Sequence, residues 1–284
     1  AEGNVGKYLI SNVNSEFSVW DITQIINVTQ PELSLSGTTG EMVFMADSLR
    51  QFIGFDRTTF LTPDLKGIVP NQNLHATGPC DYIIVSHPDF LDQAQRLKEL
   101  HEQEGLTIVM VTPQQIFNEF SSGMQDPTAI RDFVKMMYEK SGDPSTLKYL
   151  LLFGDGSYDP KNRIPENENL VLTFQSRQSL KLTQSYVTDD YFGLMDENEG
   201  SDAAGNVDVG IGRLHASTPE EAKNMVDKII NYARAKTDVF GNWRNTMCFV
   251  ADDEDYNLHF YQADTVLVSG ILRKNQTVNF NKIY

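Results

Sequence analysis

From residue 81 onward the chain alternates short apolar runs with capped amphipathic stretches, and few folds accommodate that rhythm. Tyr82-Ile83-Ile84-Val85 is the first such run. After Pro88 come Phe90, Leu91, Ala94, Leu97 and Leu100 at helical spacing. Thr107-Ile108-Val109-Met110-Val111 is a second strand, and Thr112-Pro113-Gln114-Gln115 then opens a helix with an N-cap threonine, a proline at the first position and a capping-box glutamine. Asp126-Pro127 starts another helix, with Ile130, Phe133, Val134 and Met137 on its apolar face. Strands are expected over residues 149–153, 207–212 and 247–251. Thr218-Pro219-Glu220-Glu221 is a capping box ahead of a helix through Ala233, and a further helix is expected over residues 257–272. Such an alternation buries its strands only in a mostly parallel sheet covered by helices on both faces, so the fold class is α/β.

Residues 1–78 have a different rhythm. Short strands are expected over residues 7–10, 17–20, 24–28 and 41–45, separated by Asn, Ser, Gly, Asp and Pro clusters, which suits an antiparallel β-module. Gly67, Pro70, Gly78 and Pro79 mark a connection. A β-rich module and linker over 1–78, then an α/β domain over 79–284, agrees with roughly 150 residues per domain for 284 residues. Residues 278–284 read as a strand at the end of the sequence, which suits either a closing strand at a sheet edge or a chain that continues beyond it. The first residues, Ala1-Glu2-Gly3-Asn4, form no basic and apolar leader, so any signal peptide is expected to have been removed or to lie upstream.

Composition excludes several classes. With 40% hydrophobic residues, including 16 Phe and 11 Tyr, the chain can bury a core and is not mainly disordered. Thirty-nine acidic against 23 basic residues give a net charge of −16, which repels phosphate backbones and argues against nucleic acid as a partner. No apolar run approaches the roughly 18 residues of a membrane span. The two cysteines, Cys80 and Cys248, make no disulfide framework and have no metal-ligand spacing; within a strand, Cys248 reads as a small buried apolar residue.

Acidic clusters fall at the carboxyl ends of the expected strands, where ligands bind in open parallel sheets. Gly154-Asp155-Gly156-Ser157-Tyr158-Asp159 follows one, Asp252-Asp253-Glu254-Asp255 follows another, and Asp189-Asp190 and Asp196-Glu197-Asn198-Glu199 lie between. Crowded carboxylates on loops suit a hard cation such as calcium, although solvated acidic loops are the plain alternative. No cluster has the EF-hand spacing. Of the five histidines, His101 completes an apolar stripe, His87 caps a turn, His215 has no evident partner, and His259 lies close enough after Glu254 to share a cation with it. His75 is the sequence neighbour of Cys80. There is no Gly-x-Ser-x-Gly elbow, P-loop or Gly-x-Gly-x-x-Gly fingerprint.

Taken together, Gln72-Asn73-Leu74-His75, Gln115-Ile116-Phe117-Asn118-Glu119-Phe120-Ser121-Ser122-Gly123, Ala129-Ile130-Arg131-Asp132-Phe133, Leu151-Leu152-Phe153-Gly154-Asp155-Gly156, Thr188-Asp189-Asp190-Tyr191-Phe192-Gly193 and Val209-Gly210-Ile211-Gly212-Arg213 resemble the gingipain-type cysteine peptidases of family C25. The resemblance is strongest to their secretion-associated branch, the C-terminal signal peptidase and sortase of the type IX secretion system. It implies a caspase-like first subdomain over residues 79–284, preceded by the β-rich module. In that family the second subdomain carries the catalytic His–Cys dyad, its histidine in a Gly-His-Gly context. None of the five histidines here is followed by glycine, so no catalytic residue is assigned and the dyad is expected downstream. The resemblance also implies structural calcium, at Asp155, Glu254 and His259, and at a second loop ending at Asp208 with Asp196 and Asp202 as further candidates. Tyr256 stands where the arginine-specific peptidases carry an aspartate, which argues against arginine specificity. The partners implied are secreted proteins bearing C-terminal sorting signals and secretion-system components at the outer membrane, with a location at the cell surface. Two other readings remain open: a non-catalytic binding or adhesion module, and metal-dependent phosphoester hydrolysis at Asp155, for which the loops lack a basic clamp.

Overall fold

A computed structural model describes residues 5–65, 67–143, 146–161, 163–178, 180–181, 183–200, 203–234, 240–252, 256, 258–269 and 277–283. The chain divides into two compact units, Ala1–Pro70 and Asn71–Tyr284.

The first unit is antiparallel. β1 (Val5–Ser11) and β2 (Phe17–Asp21) are followed by β3 (Ser34–Ser36), β4 (Thr39–Met45) and β5 (Phe52–Asp56). β4 lies between β1 and β3, and β2 pairs with β5. Gly37, at φ +60°, makes the two-residue turn from β3 to β4, a conformation most side chains avoid. Val13, Val19 and Met42 are buried, and the Phe44 ring stacks on Tyr8 at 4.7 Å and lies 4.8 Å from Phe52. The strand expected over residues 24–28 is absent. These residues form a turn, with the Asn27 N–H on the Gln24 carbonyl, and Ile26 is 99% exposed. β-branched residues favour a strand only where a partner and a core receive them, and neither reaches Ile25 or Ile26.

The second unit holds β6 (Tyr82–Ser86), α1 (Leu91–Gln103), β7 (Ile108–Val111), α2 (Pro113–Phe120), α3 (Pro127–Lys140) and β8 (Tyr149–Phe153). The short β9 (Phe174–Gln175) and β10 (Val187–Thr188) pair with each other, and β11 (Gly210–Leu214) and α4 (Pro219–Ala233) follow. β12 (Thr246–Val250), α5 (Leu258–Ser269) and β13 (Asn279–Ile283) close the series, with β12 parallel to β13. The main sheet is parallel throughout, in the order β11-β8-β6-β7. The alternation of side chains along each strand builds two cores. Ile83, Val85, Leu150 and Leu152 face Ile116, Phe117, Ile130 and Phe133 of α2 and α3. Ile84, Leu151 and Phe153 face Ala94 and Leu97 of α1 and Ala222 and Val226 of α4. Each large side chain so buried contributes about 1.5–3 kcal/mol.

Both expected capping boxes form, at Thr112 with Gln115 and at Thr218 with Glu221. The strand expected over residues 207–212 is displaced to Gly210–Leu214, because Asp208 is drawn back to the Gly193 carbonyl by its own N–H. The division at Pro70 falls before the boundary expected at residue 78. Leu74 is buried in the first of the two cores and Gln72 donates to the Gln115 carbonyl, which ties the connecting segment to the α/β unit. Cys248 is exposed on β12 and so is not the buried packing residue expected of it.

Candidate functional site

At the carboxyl edge of the main sheet, the loops after β6, β8 and β11 converge. Gly154 ends β8 at φ +143°, where an added Cβ would lie 2.9 Å from Val171 Cγ2, so glycine is needed for the close turn. Asp155 comes next. Its N–H donates to Ala216 O at 3.0 Å, and its carbonyl accepts from Leu170 and Val171. Its carboxylate accepts from the Gly156 N–H at 2.9 Å and faces His215 Nδ1 at 3.3 Å and Ser217 Oγ at 3.5 Å. His215 therefore has a partner that sequence separation concealed. The order is wrong for nucleophilic relay, since the carboxylate, not the imidazole, stands in the middle. The His215 side chain is 68% exposed, so the pair adds little stability.

Arg213 is the buried cation that ties these loops together. Its side chain is 3% exposed, and it grips Asp189 with two bonds, Nε to Oδ2 at 2.7 Å and Nη2 to Oδ1 at 2.8 Å. Its remaining donors reach the carbonyls of Gly154, Val171 and Leu172 at 2.8–3.0 Å. The planar fork supplies all of these at once, which lysine cannot do. Sequence reading placed Arg213 in a motif without a role, because its partners lie 24 to 59 residues away. Asp159, in the same acidic run as Asp155, serves its own turn. The Ile164 N–H foremost, with those of Arg163 and Lys161, holds its carboxyl below the usual range.

The second acidic loop runs from Met195 to Asp208. Asp208 accepts from the Met195 N–H at 2.9 Å, and Glu199 accepts from the N–H groups of Asp196 and Asn206. Arg131 holds the loop through the Leu194 carbonyl. The Tyr138 hydroxyl is pushed up by burial first, then by the Asp208 and Asp196 carboxylates, which places both acids in one neighbourhood. Glu199 stands in the acidic cluster that the sequence shows but is not among the candidate ligands; its place three residues after Asp196 is the signal that could have added it. Asp202 lies outside the described residues.

After β12, His259 Nδ1 meets Asp252 Oδ1 at 2.5 Å, while Glu254 lies outside the described residues. Among the described residues, no group of three or more His, Cys, Asp and Glu side chains converges as a cation requires. The thiols offer no dyad either. Cys80 is 2% exposed, and burial pushes its thiol up to about 11, against thiolate formation. His75 turns away to Glu119, at 2.8 Å, and stacks on Phe120 at 4.7 Å.

The sequence profile of peptidase family C25 matches residues 75–284. Among solved structures, dimeric latent PorU from Porphyromonas gingivalis is 34% identical with a TM-score of 0.64, the match covering 81% of this chain and 23% of that one. The complex of Porphyromonas gingivalis RgpB pro- and mature domains is 19% identical with a TM-score of 0.46, over 71% of this chain and 41% of that one. The chain thus spans about a quarter of the PorU chain it matches. No curated protein matches it.

Proposed function

The chain belongs to peptidase family C25, a family of cysteine peptidases, and on that premise we propose that it is part of a gingipain-like surface peptidase and transpeptidase of type IX secretion. The whole enzyme removes C-terminal sorting signals from secreted proteins and passes the acyl group to a surface anchor. It acts outside the cytoplasm, at the outer membrane, beside other secretion-system components. The supporting observation is the 34% identity to latent PorU across 81% of the chain.

In this reading the doubly covered sheet, a caspase-like subdomain, is scaffold and substrate-groove wall. The thiolate and its histidine come from outside these 284 residues. That thiolate attacks the scissile carbonyl, the C–N bond breaks as the leaving amine takes the histidine proton, and a thioester remains. An acceptor amine or water then displaces the thiol. Calcium belongs to the proposal: Asp155, Glu254 and His259 hold one ion, and Asp196, Asp202 and Asp208 a second, the charge allowing these carboxylates to crowd.

The test is a cleavage and transfer assay with a sorting-signal peptide and an added amine. We expect no thiol-dependent turnover from the 284 residues and both hydrolysis and transfer from a longer protein carrying a Gly-His-Gly and a later cysteine. Turnover by the 284 residues alone would overturn the scaffold assignment. A longer protein that binds the peptide and never cleaves it would favour the adhesion-module reading.

A further inference from the structure

β11 is an edge of the main sheet and pairs only with β8 among the described strands. The ladder fixes which of its residues face outward. Gly210 donates its N–H to Lys148 O at 2.8 Å, and Leu214 O accepts from the Gly154 N–H at 3.1 Å. Successive residues of a strand turn their main-chain groups to opposite edges, so Gly210, Gly212 and Leu214 serve β8. Ile211 and Arg213 therefore present their N–H and C=O groups to the free side. Among the described residues no hydrogen bond reaches those four groups. The Arg213 side chain is 3% exposed while the residue as a whole is half-buried, so its accessible surface is main chain.

Beside this edge lies a groove of about 710 Å³, on the face of the sheet that carries α1. Tyr82, Tyr149, Leu106 and Leu151 supply apolar lining, and Gly210 and Gly212 leave the groove bare along β11. A Cβ added at Gly212 would meet nothing within 4 Å. The charged groups of the groove are already matched, Glu104 by His101 Nδ1 at 2.7 Å and Lys148 by Asp81 at 2.9 Å. Glycine inside a strand weakens it, and it marks a place where another backbone or a ligand comes close.

The row of unspent donors and acceptors identifies the occupant, because another extended main chain presents matching groups at the same repeat. An aromatic side chain across from an edge glycine packs over it, and here it would also enter the groove. Two copies of this chain, each with a net charge of −16, repel one another, which argues against a second copy and against an acidic partner. We propose that β11 binds an extended, neutral or basic peptide segment as a fifth strand of this sheet, through the main chain of Ile211 and Arg213, with one aromatic residue of the peptide seated over Gly212. That the segment belongs to a secreted substrate rests on the peptidase reading above; the strand addition does not.

The probe is acetyl-Thr-Thr-Phe-Thr-Lys-amide, titrated into the 15N-labelled 284-residue chain. The Ile211 and Arg213 amides should shift saturably and gain protection from hydrogen exchange. Methylating the peptide nitrogens at alternate residues gives two patterns; one should abolish binding and the other retain it, because only every second residue faces the edge. Replacing the phenylalanine by glycine should weaken binding about tenfold, through the lost burial of the ring. Gly212→Leu fills the groove where a side chain has room, and should weaken binding of the phenylalanine peptide with the rest of the backbone spectrum retained. No saturable shift, an equal effect of the two methylation patterns, or full binding by Gly212→Leu would each overturn the proposal. Protection of Ile211 and Arg213 that rises with protein concentration in the absence of peptide would overturn it in favour of a second copy. Cleavage plays no part in the titration, so a blank result leaves the peptidase reading standing, and a longer protein that never cleaves leaves the strand addition standing.

Discussion

Glu119 shows how much one carboxylate can organise. Its side chain is 15% exposed, and it accepts from the Leu74 N–H, Gln72 Nε2 and both the N–H and ring of His75. Burial opposes its ionisation, but those donors outweigh burial and hold the carboxyl down at about 2. The folded value lies below the ordinary 4.5, so the associated stability is present above about pH 4.5 and is lost as the pH falls towards 2. The urea midpoint should therefore drop between pH 5 and 2, and Glu119→Gln should lower the midpoint at pH 7 and flatten that drop. A variant with the wild-type pH profile would show that Glu119 contributes nothing to it. Nothing local in the sequence announces this role, because Gln72 and Leu74 are 47 and 45 residues away. The same holds for Arg213 and Asp189, and for His215 and Asp155, separated by 60 residues.

At the scale of elements the sequence was far more legible, for a physical reason. Caps and apolar periodicity are satisfied within a few residues, so the chain states them locally. The Thr112 and Thr218 boxes, the Asp126 cap and the alternating runs of β6 and β8 all form where their residues predict. Thr112→Ala and Thr218→Ala should each cost about 1 kcal/mol in denaturant unfolding. Their effects should add, because α2 packs into one core and α4 into the other. Strong non-additivity would mean that the two faces are coupled through the sheet. Local signals failed where pairing decided the outcome. Residues 24–28 carry strand-forming side chains but find no partner strand, while Phe52–Asp56, with a glycine at its centre, becomes β5 because β2 pairs with it.

Across all 284 residues, a net charge of −16 makes the acidic loops the place where a cation would act most strongly. Calcium at 100 times its dissociation constant should stabilise by about 2.7 kcal/mol, a rise in Tm of roughly 5–10 °C for a unit of this size. A thermal melt with calcium and then with chelator reads this directly, and Asp208→Asn or Glu254→Gln should each reduce the rise. No shift in the wild type would return these loops to solvated surface. The α/β class and the placing of acidic residues at strand ends were legible without a fold, because each follows from periodicity and spacing along the chain. Folding was needed to reveal that Arg213 clamps Asp189 and three carbonyls, and that Asp155 meets His215. Those contacts join residues far apart in sequence, and their energies arise from burial and geometry that exist only once the sheet has brought its strand ends together.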